Sequence, residues 1–411
     1  MTQFTNPESR QRAYSLFAAF LCIIPVTSQI FQATRPVFMP SWGITEWLVS
    51  YHAGFVRRGL GGEIVEWATT SFRLSPSLVI AAVSAVLFGV TLGVARVITR
   101  RQLPWWALLS PAAFGAPIAA GFIVRKDLLT VLLFTAALAV LHTRRHLVIK
   151  LVAVNVISIS AILLHEQYVF AALPFLALSI YPHAGVIRRL LIGGLSLLPS
   201  AIVTLAVVVY SGTAGQSLAL TRHWNSILGD IAPRYCCYAK AEGELAAIGW
   251  TAGFAHGGSV AVLYEMDRIF WSPFMWLCII AACALIISAS FQERREGGRQ
   301  AFLAIFATQA VFIAPLFYIA NDYGRWIFLI TATSVVAACM WDNDKEAPAP
   351  MFAARMPRLP ALEKTRAWLP LIALVGLAVP GCCWSIRNYA IATLPGRNID
   401  SLTKLYALLA G

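Results

Sequence analysis

Four short charged stretches hold the residues of this sequence best suited to chemistry. The first is Glu46 followed by YHAGFVRRGLGGEI, residues 51–64, where Arg57 and Arg58 stand between Gly54 and a run of glycines that ends at Glu63. Glycines let a backbone approach a ligand closely, and guanidinium groups grip phosphate through paired N–H bonds. The plainer reading is a turn entering a surface helix, with the arginines meeting lipid headgroups. The second is Arg125-Lys126-Asp127, either a hairpin tip with one weak ion pair or cations placed at a lipid phosphate. The third, His165-Glu166-Gln167, interrupts an apolar run from 151 to 181. Polar groups at membrane depth are costly and face a cavity, unless the triplet is a wet hairpin turn. The fourth is Asn321-Asp322-Tyr323-Gly324-Arg325-Trp326, where Asp322 and Arg325 either pair with each other or act together on an anion. Such a set suits transfer from a phosphate: Arg and Lys neutralise the leaving group, and a carboxylate takes a proton from the attacking hydroxyl. His165 and Glu166 are two adjacent ligands and do not make a metal site, so neither metal nor cofactor is expected.

The elements that must position these residues are apolar. A helix needs about 20 apolar residues to cross the hydrocarbon core. On that rule the spans fall at 13–31, 77–98, 104–122, 127–141, 151–164, 168–181, 190–210, 271–290, 301–320, 326–341 and 368–387. The expectation is an all-α polytopic protein with about eleven transmembrane helices. Arg10 and Arg12 flank the first span, which reads as an uncleaved anchor. Arg100-Arg101, Arg144-Arg145, Lys150, Arg188-Arg189, Arg294-Arg295 and Arg299 then define the cytoplasmic side, with the N-terminus also inside. All four charged stretches fall on the opposite face.

Long outer segments are expected at 32–76, including a surface helix over GGEIVEWATTSF, and at 211–270. Residues 1–341 form the multi-span catalytic module. The stretch 342–367, rich in proline and charge, reads as a cytoplasmic linker. Residues 368–411 would be a loosely appended last helix and an outer tail.

Composition excludes other classes. The 411 residues are 59% hydrophobic and 12% charged, too little charge to cover a soluble domain of this length. The net charge of +13 sits in short runs between apolar blocks rather than among exposed aromatics, which argues against nucleic acid. The eight cysteines show no C-x-x-C pattern. Cys236-Cys237 and Cys382-Cys383 both fall on the outer side, where a disulfide between the two regions can form in an oxidising compartment.

GFVRRGLGGE, RKDLL, HEQ and NDYGRW together resemble bacterial membrane proteins of polysaccharide-biosynthesis regions, over about residues 40–330. More broadly the chain is similar to GT-C glycosyltransferases. That resemblance implies a GT-C-like fold in the bacterial inner membrane, a polyprenyl-phosphate-linked sugar donor, a glycan or lipid acceptor, and a catalytic acid in the first outer loop. That loop has Glu46, Glu63 and Glu66 but no Asp; the base role carries to Glu46 first and Glu63 second. Arg57, Arg58, Arg125 and Arg325 would hold the phosphate, with Asp322, His165 and Glu166 shaping the sugar pocket and Lys126 and Asp127 also binding substrate. A Wzy-type polymerase of lipid-linked repeat units and a lipid-linked sugar flippase are the alternative expectations.

Overall fold

The computed structural model describes residues 7–34, 42–100, 102–181, 184–229, 241–250, 272–291, 298–341, 368–382 and 386–410. The expected linker 342–367, much of 211–270, and Cys236, Cys237 and Cys383 lie outside these. Among the described residues there is no β-strand. The first half contains α1 (Pro7–Thr34), α2 (Trp42–Thr45), α3 (Gly59–Phe72), α4 (Pro76–Thr99), α5 (Trp105–Leu109), α6 (Ala116–Ala120) and α7 (Asp127–Leu141). It continues through α8 (Leu147–Leu164), α9 (Tyr168–Ala171), α10 (Leu173–Ile180), α11 (Val186–Ser196), α12 (Leu198–Val209), α13 (Ala214–Leu228) and α14 (Gly243–Ala247). The remainder contains α15 (Ser272–Ser290), α16 (Gly298–Ile319), α17 (Tyr323–Trp341), α18 (Leu369–Leu371), α19 (Ile386–Ile391) and α20 (Leu394–Ala410).

Among the described residues five helices are long and apolar enough to cross a membrane: those at Glu8–Thr34, Pro76–Thr99, Leu147–Leu164, Arg299–Ile319 and Tyr323–Met340. The pair Val186–Ser196 and Leu198–Val209, bent by 73°, makes a sixth if counted as one broken span. Shorter apolar helices lie at Asp127–Leu141, Tyr168–Ile180 and Phe274–Ser290. Large apolar side chains stand out from these helices, among them Leu16, Phe20, Val86, Val97, Ile187, Leu191 and Leu205, each more than 60% exposed. Apolar surface on this scale needs a cover, and lipid provides one. This is an all-helical chain with the helices of a membrane-embedded protein.

Four of the expected spans, 104–122, 168–181, 190–210 and 368–387, are not single helices. Within 104–122, α5 and α6 are separated by a turn at 110–115. Pro104, Pro111 and Pro117 withdraw N–H donors, and Gly115 sits where a Cβ would lie 2.0 Å from the Leu109 carbonyl oxygen. Within 368–387, α18 runs into a single π-helical stretch at Ile372–Gly376 and then into extended backbone. Proline also breaks the apolar run at 190–210, where Pro199 opens α12 beside the bend.

The chain divides into two compact units. One comprises Met1–Ser28, Leu92–Phe122 and His256–Gly411. Its centre is α17, 94% of whose most apolar stretch is buried, and which packs against α16 and α6. Phe328 sets its ring against Phe114 and Phe122. Residues 368–410, expected as an appended tail, belong to this unit. Gly324 donates its N–H to the Gly381 carbonyl, Arg397 Nε donates to the Ala119 carbonyl at 2.7 Å, and the Asn398 amide donates to the Leu21 carbonyl. Cys382 is disulfide-bonded, whereas Cys22, Cys278, Cys283 and Cys339 are free thiols.

The other unit comprises Gln29–Thr91 and Ile123–Ala255. Its core joins the segment Ile44–Val49 to Val65 of α3, Ile80 of α4, Leu220 and Trp224 of α13, and Leu245 of α14. Two indoles fix the segment in register. Trp47 Nε1 donates to the Val124 carbonyl and Trp224 Nε1 to the Leu48 carbonyl, each at 2.6 Å. Buried tryptophan N–H groups need such partners, so each bond sets position as well as packing. The stretch 61–72, expected to be helical, is so within α3, whose buried face includes Gly61, Gly62 and Val65.

At Gly62 an added Cβ would lie 1.9 Å from the Val49 carbonyl oxygen, whereas at Gly89 in α4 it would meet nothing within 4 Å. Gly62→Ala is therefore expected to cost about 1–3 kcal/mol through overpacking. Gly89→Ala should leave stability unchanged or raise it by up to about 1 kcal/mol. Apparent unfolding temperatures in one detergent check this pair; equal temperatures would refute the close backbone approach at Gly62.

Candidate functional site

The site grows from a backbone oddity. Arg58 has φ 64°, in the left-handed region, on the residue that caps the N-terminus of α3. For a residue with a Cβ this conformation costs about 1–3 kcal/mol and persists only where the surroundings impose it. Arg58 Nε donates to Glu166 Oε2 at 2.7 Å, Nη2 to Glu166 Oε1, and Nη1 to Glu244 Oε2 at 2.6 Å. Residues 108 and 186 positions away in sequence thus close on one guanidinium.

The other charges gather around this pairing. Lys126 is fully buried at the start of α7, where its ammonium donates to the Arg58 carbonyl at 3.3 Å and lies over the Trp47 ring. Burial is the main influence and pushes the Lys126 ammonium down from 10.5 to about 8, with Glu46 acting against the fall and Arg58 adding to it. For Glu166, burial works against the charge, but Arg58, His165 and Arg57 together hold the carboxyl well below its ordinary range. Arg57 donates through Nη2 to the Ala247 carbonyl at 2.7 Å. Its Nε is buried with no hydrogen-bond partner among the described residues.

Glu46 is the deepest member. It has no exposed surface, and neither carboxylate oxygen accepts a hydrogen bond from the described residues. His165 Nε2 stands 3.2 Å from Glu46 Oε1, a close ionic contact that is not aligned as a hydrogen bond. The Gln167 N–H donates to His165 Nδ1 at 3.3 Å, so a neutral imidazole carries its proton on Nε2, toward Glu46. His165 Nδ1 also lies 3.6 Å from Glu166 Oε2. A partly exposed carboxylate, an imidazole and a buried carboxylate therefore stand in a row.

The structure sorts the residues read from sequence. Glu46, Arg57, Arg58, Lys126, His165 and Glu166 come together in one unit, from three separate stretches. Asp127, in the first turn of α7, accepts from the Gln167 side-chain amide at 3.1 Å, and the same amide also donates to Thr130. That bond ties the second stretch to the third. Arg125 is half-buried with its aliphatic stem beside Gly43. Glu63 accepts the Tyr51 N–H at 2.5 Å and so anchors the loop before α3. Asp322 and Arg325 lie in the other unit and pair with each other at 2.6 Å, with Arg325 buried.

Sequence reasoning missed Glu244, whose N–H donates to the Thr45 hydroxyl oxygen at 3.0 Å and whose preceding Gly243 has φ 56°. A single acid in a mixed loop gave no sign of this; the left-handed glycine before it was the one available cue. It also missed a cluster of His52, Glu66 and His223 in the same unit. No family model, curated protein or solved structure matches the chain.

Removing Arg58 strands two carboxylates, so Arg58→Ala is expected to destabilise the protein by about 3–5 kcal/mol. Arg58→Gly, equal in charge lost but relaxed at this φ, should cost about 1 kcal/mol less. Unfolding measurements on both variants separate the ion pair from the backbone. Between pH 8 and 10.5 the unfolded chain keeps a proton that folded Lys126 has lost, so this group makes folding more favourable as pH rises. Subtracting the stability–pH curve of Lys126→Met from that of the wild type should leave this rise. A flat difference curve would mean that Lys126 is charged in the fold.

Proposed function

We propose that the chain is a membrane glycosyltransferase of GT-C type that takes a sugar from a polyprenyl-phosphate donor at the periplasmic face of the bacterial inner membrane. The observation that carries this reading is Glu46, a carboxylate beside an imidazole with both oxygens free of hydrogen bonds among the described residues. Of the acids weighed as base, Glu63 is engaged by the Tyr51 N–H and Glu46 is not. In the reaction, the acceptor hydroxyl oxygen bonds to the anomeric carbon and gives its proton to Glu46. The bond from that carbon to the phosphate oxygen breaks, and the electron pair leaves with the lipid phosphate. Arg57, which has a nitrogen to spare, and Lys126 neutralise that charge. Arg58 acts through Glu166 and Glu244 and is a positioning residue, because its nitrogens already face carboxylates.

Because Glu46 is fully buried, an acceptor reaches it only after part of the site has moved, as lids do in many enzymes. The disulfide at Cys382 agrees with an oxidising compartment on that side. The span number of about eleven, the N-terminus inside and a role in surface-polysaccharide synthesis belong to the same proposal.

Glu46→Gln should slow release of polyprenyl phosphate from a panel of polyprenyl-phosphate hexoses by about 10²–10⁴-fold, the usual weight of a general base. Glu63→Gln should change the rate less than tenfold. Purified protein in proteoliposomes, assayed in parallel for donor turnover and for donor flipping, gives both readings. Full turnover by Glu46→Gln ends the assignment of the base; flipping without turnover ends the assignment as a transferase.

A further inference from the structure

We propose that His52, Glu66 and His223 form a binding site for one divalent transition-metal ion, of which zinc fits best. The site is separate from the proton acceptor named above and does not rest on the glycosyltransferase reading. The three side chains each offer one ligand atom, and these atoms all lie within 4.8 Å of one another. His223 Nε2 stands 2.8 Å from Glu66 Oε1. The rings of His52 and His223 stack with centroids 3.4 Å apart and planes inclined by 14°.

Three observations lift this above a chance meeting of polar groups. Glu66 Oε2 is buried without a hydrogen-bond partner among the described residues, although the carboxylate beside it is engaged by His223. A buried carboxylate oxygen left without a donor is costly, and a cation satisfies it directly. His223 brings an imidazole nitrogen, a donor that first-row metals favour, to that same carboxylate. Each ligand is also held from behind. His223 neighbours Trp224, which is buried and bonded to the Leu48 carbonyl; Glu66 follows buried Val65 on α3; and His52 follows Tyr51, whose N–H is held by Glu63. Glu66 and His223 are thus preset on their helices, and His52 completes the site by turning toward them.

The donor set selects the ion. Two imidazole nitrogens and one carboxylate oxygen suit zinc and its first-row neighbours rather than calcium or magnesium, which take oxygen ligands. Three protein ligands leave a tetrahedral zinc one open position, filled by water. Bond lengths of about 2.0–2.2 Å set ligand atoms about 3.4 Å apart in a tetrahedral site, so His223 and Glu66 part slightly and the His52 ring leaves its stack on His223 to aim a nitrogen at the same point. The exposed His52 side chain, on a loop, is the one free to travel. On binding, the ion takes the place of the proton between Glu66 and His223, and that proton goes to solvent. The metal would clasp the loop before α3 and the helix α13 onto α3.

The test uses the full chain in detergent, without a histidine tag and stripped by chelator. Zinc is titrated against a chromophoric chelator, and cobalt(II) is followed by its ligand-field absorption. One equivalent of zinc per chain is expected, with affinity falling at least tenfold in His223→Ala, in Glu66→Gln and in His52→Ala. Zinc should raise the unfolding temperature of the wild type and leave those of the three variants unmoved. His52→Ala, an exposed loop change, serves where either helix variant fails to fold. Glu46→Gln should bind as the wild type does, which separates this site from the proton acceptor. Absence of stoichiometric binding, or unchanged affinity in His52→Ala, overturns the proposal.

Discussion

The pairing of Arg58 with Glu166 and Glu244 is the interaction on which this unit depends. Charges are removed from water here only because each finds its opposite at hydrogen-bond distance. Were any one absent, the others would stand buried and uncompensated, which costs far more than the pair contributes. The same pairing explains the left-handed backbone at Arg58. An αR or extended conformation there would aim the guanidinium elsewhere, so strain of a kind seldom tolerated away from glycine is held by two carboxylates. Position and charge are thus fixed together.

From that anchor the rest of the network follows by contact. Lys126 bonds the carbonyl of the same arginine, and Asp127 beside it holds Gln167 next to Glu166. The apolar frame behind them is fixed by the two tryptophan N–H bonds, which leave Ile44–Val49 no freedom to slide. Glycine at position 61 is part of the same geometry, since a Cβ there would stand 2.6 Å from the Lys126 nitrogen. The glycines after the arginine pair, read in sequence as room for a ligand, make room for the chain itself: Gly59 for Tyr51, Gly61 for Lys126 and Gly62 for the Val49 carbonyl.

Much of this was legible in the sequence. Long apolar runs set the helical class, because bilayer thickness and helix rise leave little choice. Three of four charged stretches converge because polar groups flanking apolar helices must meet something, and a shared partner is the cheapest solution. The partners themselves were not legible. Arg58 read as an anion clamp because sequence shows a guanidinium and not the carboxylates that reach it from 108 and 186 residues away. Asp322 and Arg325 are three residues apart on one turn, so a local pair competed from the start with any distant role, and the local pair formed. The span at 104–122 failed for another reason: its composition is apolar, but its prolines and Gly115 fix a turn that hydropathy does not register.

What separates a reactive carboxylate from a structural one here is the supply of donors. Glu166 and Glu244 accept from a guanidinium, Glu63 from a backbone N–H, and Asp127 from an amide. Glu46 has only an imidazole at an unaligned 3.2 Å, and one oxygen of Glu66 has no donor among the described residues. A carboxylate kept short of donors in a buried setting holds unspent affinity for whatever positive charge arrives. In the proposed reaction the charge that reaches Glu46 is a proton brought by a hydroxyl; in the proposed metal site the charge that reaches Glu66, flanked by two imidazoles, is a metal ion. The same electrostatic deficit, set beside different neighbours, yields two different chemistries.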